Sequence, residues 1–151
     1  MAAIVEPNSS VQAAEQARPQ AIGGLRFDWL MAGLSTVFLG GLYLDGWAHN
    51  HGKVDQSFFT PWHAFFYAGF ALTAIALLVT GAVNWRRGYT RRAALPAGYG
   101  LALLGSAVFA AGGVGDLIWH TLFGIEEDFE ALVSPTHLML GVGLALIVSA
   151  P

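Results

Sequence analysis

The sequence of 151 residues contains no cysteine, which excludes disulfide bonds, zinc knuckles, iron–sulfur clusters and thiol nucleophiles. Any bound metal ion must therefore take nitrogen and oxygen ligands. Charged residues are also scarce: they make up 11% of the chain, whereas a soluble domain has roughly a quarter. The net charge of −3 offers no basic surface for phosphates, which argues against nucleic acid as a partner.

The apolar residues are gathered into long uncharged runs. Residues 29–44, 64–85 and 93–115 contain no Asp, Glu, Lys or Arg, and the second and third runs exceed the ~20 residues that cross a bilayer as a helix. With 55% hydrophobic residues, the composition predicts a multi-pass membrane protein surrounded by lipid. We predict an all-α fold, a bundle of about four transmembrane helices.

Helix starts are indicated by a hydroxyl residue followed by proline, because the hydroxyl caps the helix and proline fits its first turn. This pair occurs twice, as Thr60-Pro61 and Ser134-Pro135. The predicted helices cover about 27–49, 60–85, 96–120 and the residues from 134 onward.

The predicted domain organisation is a flexible N-terminal tail followed by one transmembrane domain. Residues 1–24 lack hydrophobic periodicity, which is typical of a mobile segment. The transmembrane domain, residues 25–151, divides into one helical hairpin at about 27–85 and a second at about 96–151. The fourth helix has only 17 residues from Pro135 to Pro151, so it is predicted to be either truncated at the C-terminus or shallow.

Basic residues predict the orientation in the membrane, because Lys and Arg near helix ends are retained on the cytoplasmic side. Six of the seven bases fall before the first helix or in the loop after the second: Arg18, Arg26, Arg86, Arg87, Arg91 and Arg92. All five histidines fall at the opposite, non-cytoplasmic end: His49, His51, His63, His120 and His137.

The polar residues at the non-cytoplasmic end form a pattern that occurs twice. Asp45-x-x-x-His49 is followed by His63 in a Thr-Pro-x-His box, and Asp116-x-x-x-His120 is followed by His137 in a Ser-Pro-x-His box. The Asp/His pairs are offset by 71 residues and the boxes by 74. We interpret this as an internal repeat of a helical hairpin. Residues four apart share one helix face, so each Asp and His converge, and the hairpin brings the box histidine to the same depth.

Each half thus predicts a metal site with two imidazoles and one carboxylate, a set that suits copper, iron or zinc. The metal-ligand candidates are Asp45, His49, His63, Asp116, His120 and His137. The alternative for any single histidine is an interfacial, hydrogen-bonded side chain. His51 and Asp55 are predicted to be solvated loop residues. The acidic run is predicted to be a solvated helix face: Glu126, Glu127, Asp128 and Glu130. One member of this run is a candidate to orient a ligand histidine.

These motifs resemble a known family. Asp45-Gly-Trp-Ala-His49 with Phe59-Thr60-Pro61-Trp62-His63, and His120-Thr-Leu-Phe with the later Pro135-x-His137 box, are similar to the metal motifs of the C subunit of copper membrane monooxygenases, the particulate methane and ammonia monooxygenase family. The resemblance spans about residues 40–145. Asp116 departs from it, since the family usually has Asn there.

The resemblance implies that both triads bind copper, with zinc and iron less favoured, and that the protein takes part in O₂-dependent oxidation of a small apolar substrate or ammonia. It also implies companion monooxygenase subunits and an oligomer, homo- or hetero-oligomeric, of trimeric form. Two other functions remain open from the residues: non-catalytic binding, storage or delivery of copper or another divalent metal, and a metal-dependent membrane hydrolase. A haem protein fits less well, because each histidine is paired with a carboxylate.

Overall fold

The structure, a computed structural model, describes residues 19–53, 58–124 and 133–150. Within these ranges the chain is all-helical, as predicted, and contains no β-strand. The helices, here named α1 to α4, are Leu25–Asn50, Pro61–Arg86, Tyr99–Phe123 and Pro135–Val148.

Three of the four helices are long and apolar enough to span a membrane. Helices α1, α2 and α3 have 26, 26 and 25 residues, which at 1.5 Å per residue exceeds the ~30 Å hydrocarbon layer. Their apolar side chains also point outward: Leu72, Ile75 and Leu78 on α2 are each more than half exposed, which suits a lipid environment. Helix α4 has 14 residues, so its length alone does not make it a span.

The predicted caps start α2 and α4. The Thr60 hydroxyl accepts a hydrogen bond from the backbone N–H of His63, and the Ser134 hydroxyl accepts one from the N–H of His137. Helix α3 begins three residues later than Pro96, because Gly98 precedes it with φ of 91° and no side-chain cap.

Each helix packs mainly against its neighbour in sequence, α1 on α2 and α3 on α4. Glycines permit this close approach: a Cβ built on Gly41 would lie 2.8 Å from the Phe66 Cα, and one built on Gly143 would lie 2.6 Å from the Phe109 N. The two pairs meet through a buried aromatic cluster, in which the rings of Phe38, Phe66 and Phe109 lie 5.0–5.5 Å apart.

The end of the bundle that carries the basic residues is held together by Asn84. Its buried amide donates hydrogen bonds to the carbonyls of Ile22 and Ala94 and accepts one from the Ile22 N–H. Residues 19–24, the described part of the predicted tail, are therefore attached to the bundle, with further bonds from Arg87 and Tyr89. Residues 1–18 lie outside the described residues.

Candidate metal centre

Each Asp-x-x-x-His pair occupies the last two turns of a long helix. On α1 the Asp45 Oδ2 lies 3.9 Å from the His49 Nε2. On α3 the Asp116 Oδ1 lies 3.5 Å from the His120 Nε2. The spacing of four residues places both groups on one face, as the sequence predicted.

The box histidines complete each group from the next helix. His63 and His137 stand at the third position of α2 and α4. The His63 Nδ1 lies 3.3 Å from the Asp45 Oδ1, and the His137 Nδ1 lies 3.5 Å from the Asp116 Oδ1. The helix caps contribute to this placement. The Thr60 and Ser134 hydroxyls bind the first turn of α2 and α4, and the histidine of that turn faces the carboxylate.

All six predicted ligands are therefore brought together in two groups of three. We name them the first triad, Asp45, His49 and His63, and the second triad, Asp116, His120 and His137. In each triad one nitrogen or oxygen atom per residue lies within 4.8 Å of the others.

The separations inside the triads are longer than ordinary histidine–carboxylate hydrogen bonds. A charge-assisted N–H···O bond is about 2.7–2.9 Å long, whereas the four N···O distances here run from 3.3 to 3.9 Å. An ion with bonds of about 2.0–2.2 Å at near-tetrahedral angles keeps its ligand atoms about 3.3–3.6 Å apart. The distance of 3.5 Å from the His120 Nε2 to the Asp116 Oδ1 falls in that interval. The distances from His63 and His137 start at Nδ1 atoms that also contact the Thr60 and Ser134 hydroxyls.

The charge balance also favours a cation. Asp45 is 8% exposed and Asp116 is 1% exposed, and in the described ranges their ion-pair partners are histidines rather than Lys or Arg. A carboxylate in apolar surroundings is costly without a compensating charge. A divalent ion would provide that charge and use the imidazoles as neutral ligands.

The two triads differ in how their carboxylates are held. The Asp116 Oδ1 accepts a hydrogen bond of 3.0 Å from the Thr136 hydroxyl on α4. The Asp45 Oδ1 is buried and has no hydrogen-bond partner of adequate geometry. The second triad is thus the more firmly positioned of the two, and the sequence pattern did not reveal this.

Hydrogen bonds also orient histidine rings in both triads: in the first, the His63 Nδ1 lies 3.1 Å from the Thr60 hydroxyl. The His120 Nδ1 lies 3.0 Å from the Gly124 carbonyl, and the His137 Nδ1 lies 2.8 Å from the Ser134 hydroxyl. Partners of this kind hold a ligand imidazole in one orientation. His51 is excluded from the first triad, because its Nδ1 contacts the Trp47 carbonyl and its ring stacks on that tryptophan.

Two aromatic residues that the motif analysis did not single out as site residues lie between the triads. The Phe58 ring is 5.1 Å from the His63 ring and 6.3 Å from the His120 ring. Tyr67, one turn after His63 on α2, contacts Phe58 and reaches toward α3. The spacing of four from His63 was the available signal for Tyr67. Asp55 and the acidic run at 126–130 lie outside the described residues.

No family model, curated protein or solved structure matches this chain.

Proposed function

We propose that this protein is an integral membrane metalloprotein that binds copper at both triads. One observation carries the proposal: the same Asp/His/His set occurs twice, each time with one ligand atom per residue gathered within 4.8 Å of the others. Buried ionisable groups at the edge of apolar helices are expensive and tend to serve a function.

Copper is the preferred metal for two reasons. Sites built from imidazole and carboxylate bind Cu²⁺ more tightly than the other divalent first-row metals, and the motifs resemble those of the copper monooxygenase C subunit. Zinc and iron suit the same donor set less specifically.

The activity we propose is that of a subunit in a copper-dependent membrane monooxygenase acting on a small apolar substrate or ammonia. Copper would supply one-electron chemistry with O₂. The chain itself holds three ligands per site and leaves further coordination positions for small molecules. The rings of Phe58 and Tyr67 pack beside His63 and cover that side of the ligand. Companion subunits and a trimeric assembly belong to the same proposal.

The proposed topology is two repeated hairpins with four spans in the cell membrane, and both triads at the non-cytoplasmic side. The basic residues support it: Arg86 and Arg87 close α2 at the end opposite to the triads, and such residues favour the cytoplasmic side. Helix α4 would be the fourth span, and its 14 residues would require local thinning of the bilayer.

A second candidate, metal acquisition or delivery without catalysis, is favoured by the exposure of one histidine in each triad. The His49 side chain is 37% exposed and the His137 side chain is 30% exposed. Ligands that face the surface allow an ion to be exchanged with a carrier. This candidate predicts exchangeable copper without O₂ consumption.

Copper content of the detergent-purified protein tests the proposal. We expect two copper ions per chain in the wild type and one in His63→Ala or in His137→Ala. His51→Ala is the matched control, since this histidine lies near the first triad but is bound to Trp47, and it should retain both ions. Equal copper in all four proteins, or none in the wild type, would contradict the assignment. Substrate-dependent O₂ consumption with companion subunits then separates the two candidates.

A further inference from the structure

The hydroxyl of Tyr67 is a buried polar group that the metal ligands do not use. Its oxygen is enclosed and has no hydrogen-bond partner in the described part of the chain. A buried tyrosine hydroxyl is normally hydrogen-bonded, and phenylalanine would fill the same space. The hydroxyl therefore points to a partner other than the described residues, such as a bound ligand.

Tyr67 extends from the helix of one triad to the helix of the other. It follows His63 by one turn on α2, and the two rings are nearly parallel, with centroids 6.2 Å apart. Its hydroxyl lies against α3 at Gly113, where a built Cβ would be 3.1 Å from the phenolic oxygen. Gly113 shares a face of α3 with Asp116 and His120, three and seven residues later.

This position lies between the two candidate metal sites. The Tyr67 ring contacts His63 of the first triad, and Phe58 covers it on the side of His63 and His120. Gly113 leaves room there, since any larger residue would press against the tyrosine ring.

We propose that Tyr67 donates a hydrogen bond to a small metal-coordinating anion that binds between the triads. This inference rests on the proposed copper function. Two divalent ions exceed the charge of the two carboxylates, and in apolar surroundings a small anion offsets the excess. The ligand must coordinate copper with one atom and accept a hydrogen bond from a phenol, so Tyr67 is a ligand-binding residue and not a metal ligand.

Azide binding to the Cu²⁺-loaded protein tests this inference, with absorption of the azide–copper complex as the readout. Because the Tyr67 hydroxyl makes no hydrogen bond to the described residues, Tyr67→Phe should keep its copper content. We expect its Kd for azide to rise about tenfold, as for the loss of one hydrogen bond to a charged acceptor. Gly113→Ala should weaken azide binding in the same direction by displacing the ring.

Tyr43→Phe is the matched control, because Tyr43 is 79% exposed on α1, and it should bind azide as the wild type does. Wild-type azide affinity in Tyr67→Phe, or loss of copper from that variant, would overturn the inference. Failure of copper-loaded wild type to bind azide would overturn it as well and leave the copper sites standing. Failure of the wild type to bind copper would refute the proposed function itself.

Discussion

The substitution Gly41→Ala should weaken metal binding at the first triad without touching a ligand. Gly41 lies one turn before Asp45 on α1. It faces α2 at Phe66, which is three residues after His63. A Cβ at Gly41 would stand 2.8 Å from the Phe66 Cα, whereas ordinary contact begins at about 3.4 Å. The two backbones must therefore separate by about 0.6 Å, and the contact offers no flexible side chain that could yield instead.

The size of the effect follows from the separation of α1 and α2. Metal sites tolerate only about 0.2 Å in ligand distance, so an ion that binds Asp45 and His63 together must pull the helices back into contact. Overpacking of this kind costs about 1–3 kcal/mol. If the metal-free protein relaxes and the bound form does not, copper affinity at the first triad falls about 5- to 150-fold.

Competition with a chromophoric copper chelator measures this in the purified protein. Gly40→Ala is the control, since a Cβ at Gly40 meets nothing within 4 Å, and it should bind two ions as the wild type does. The far-ultraviolet circular dichroism of both variants should be unchanged. The reasoning is refuted if Gly41→Ala keeps full affinity at both sites, if both sites weaken equally, or if Gly40→Ala has the same effect.

Two further substitutions probe the second triad and the opposite end of the bundle. Thr136→Val removes the hydroxyl that holds Asp116 and should weaken copper binding at the second triad about tenfold, the low end for loss of a group that orients a ligand. Chelator competition measures this, and a variant that binds copper at the second triad as tightly as the wild type does would contradict it. Asn84→Leu leaves the buried polar groups of Ile22 and Ala94 without their partner and should lower the free energy of unfolding by about 2–5 kcal/mol, seen as a lower Tm in detergent; because this residue is far from the triads, copper stoichiometry at temperatures below the Tm should not change.

Much of the local structure follows from the sequence because it depends on neighbouring residues. The uncharged runs predicted the long apolar helices, and the Thr-Pro and Ser-Pro pairs predicted where α2 and α4 begin. Both predictions are confirmed. The fourth span was predicted only as marginal, and α4 has 14 residues.

The composition of the triads was also predictable, since a spacing of four residues on a helix fixes which side chains share a face. Asp45 with His49 and Asp116 with His120 follow from this rule alone. That these residues bind copper remains a prediction.

The distances and rotations between helices could not be predicted from the sequence. The approach of His63 to Asp45 depends on how closely α1 and α2 pack at Gly41 and Gly69, and the bond from Thr136 to Asp116 depends on how α4 is rotated against α3. Hydrophobic periodicity specifies a face of each helix but neither a distance nor a rotation between two helices.

Sequence by itself therefore determined a membrane-type helical protein with few charges and two copies of an Asp/His/His set. Only the tertiary structure decided that each set closes around one point, that Asp116 is better anchored than Asp45, and that the Tyr67 hydroxyl lies buried between the two sets. The physical reason is that spacing along one helix is local, whereas contacts between helices are fixed by the packing of the whole bundle.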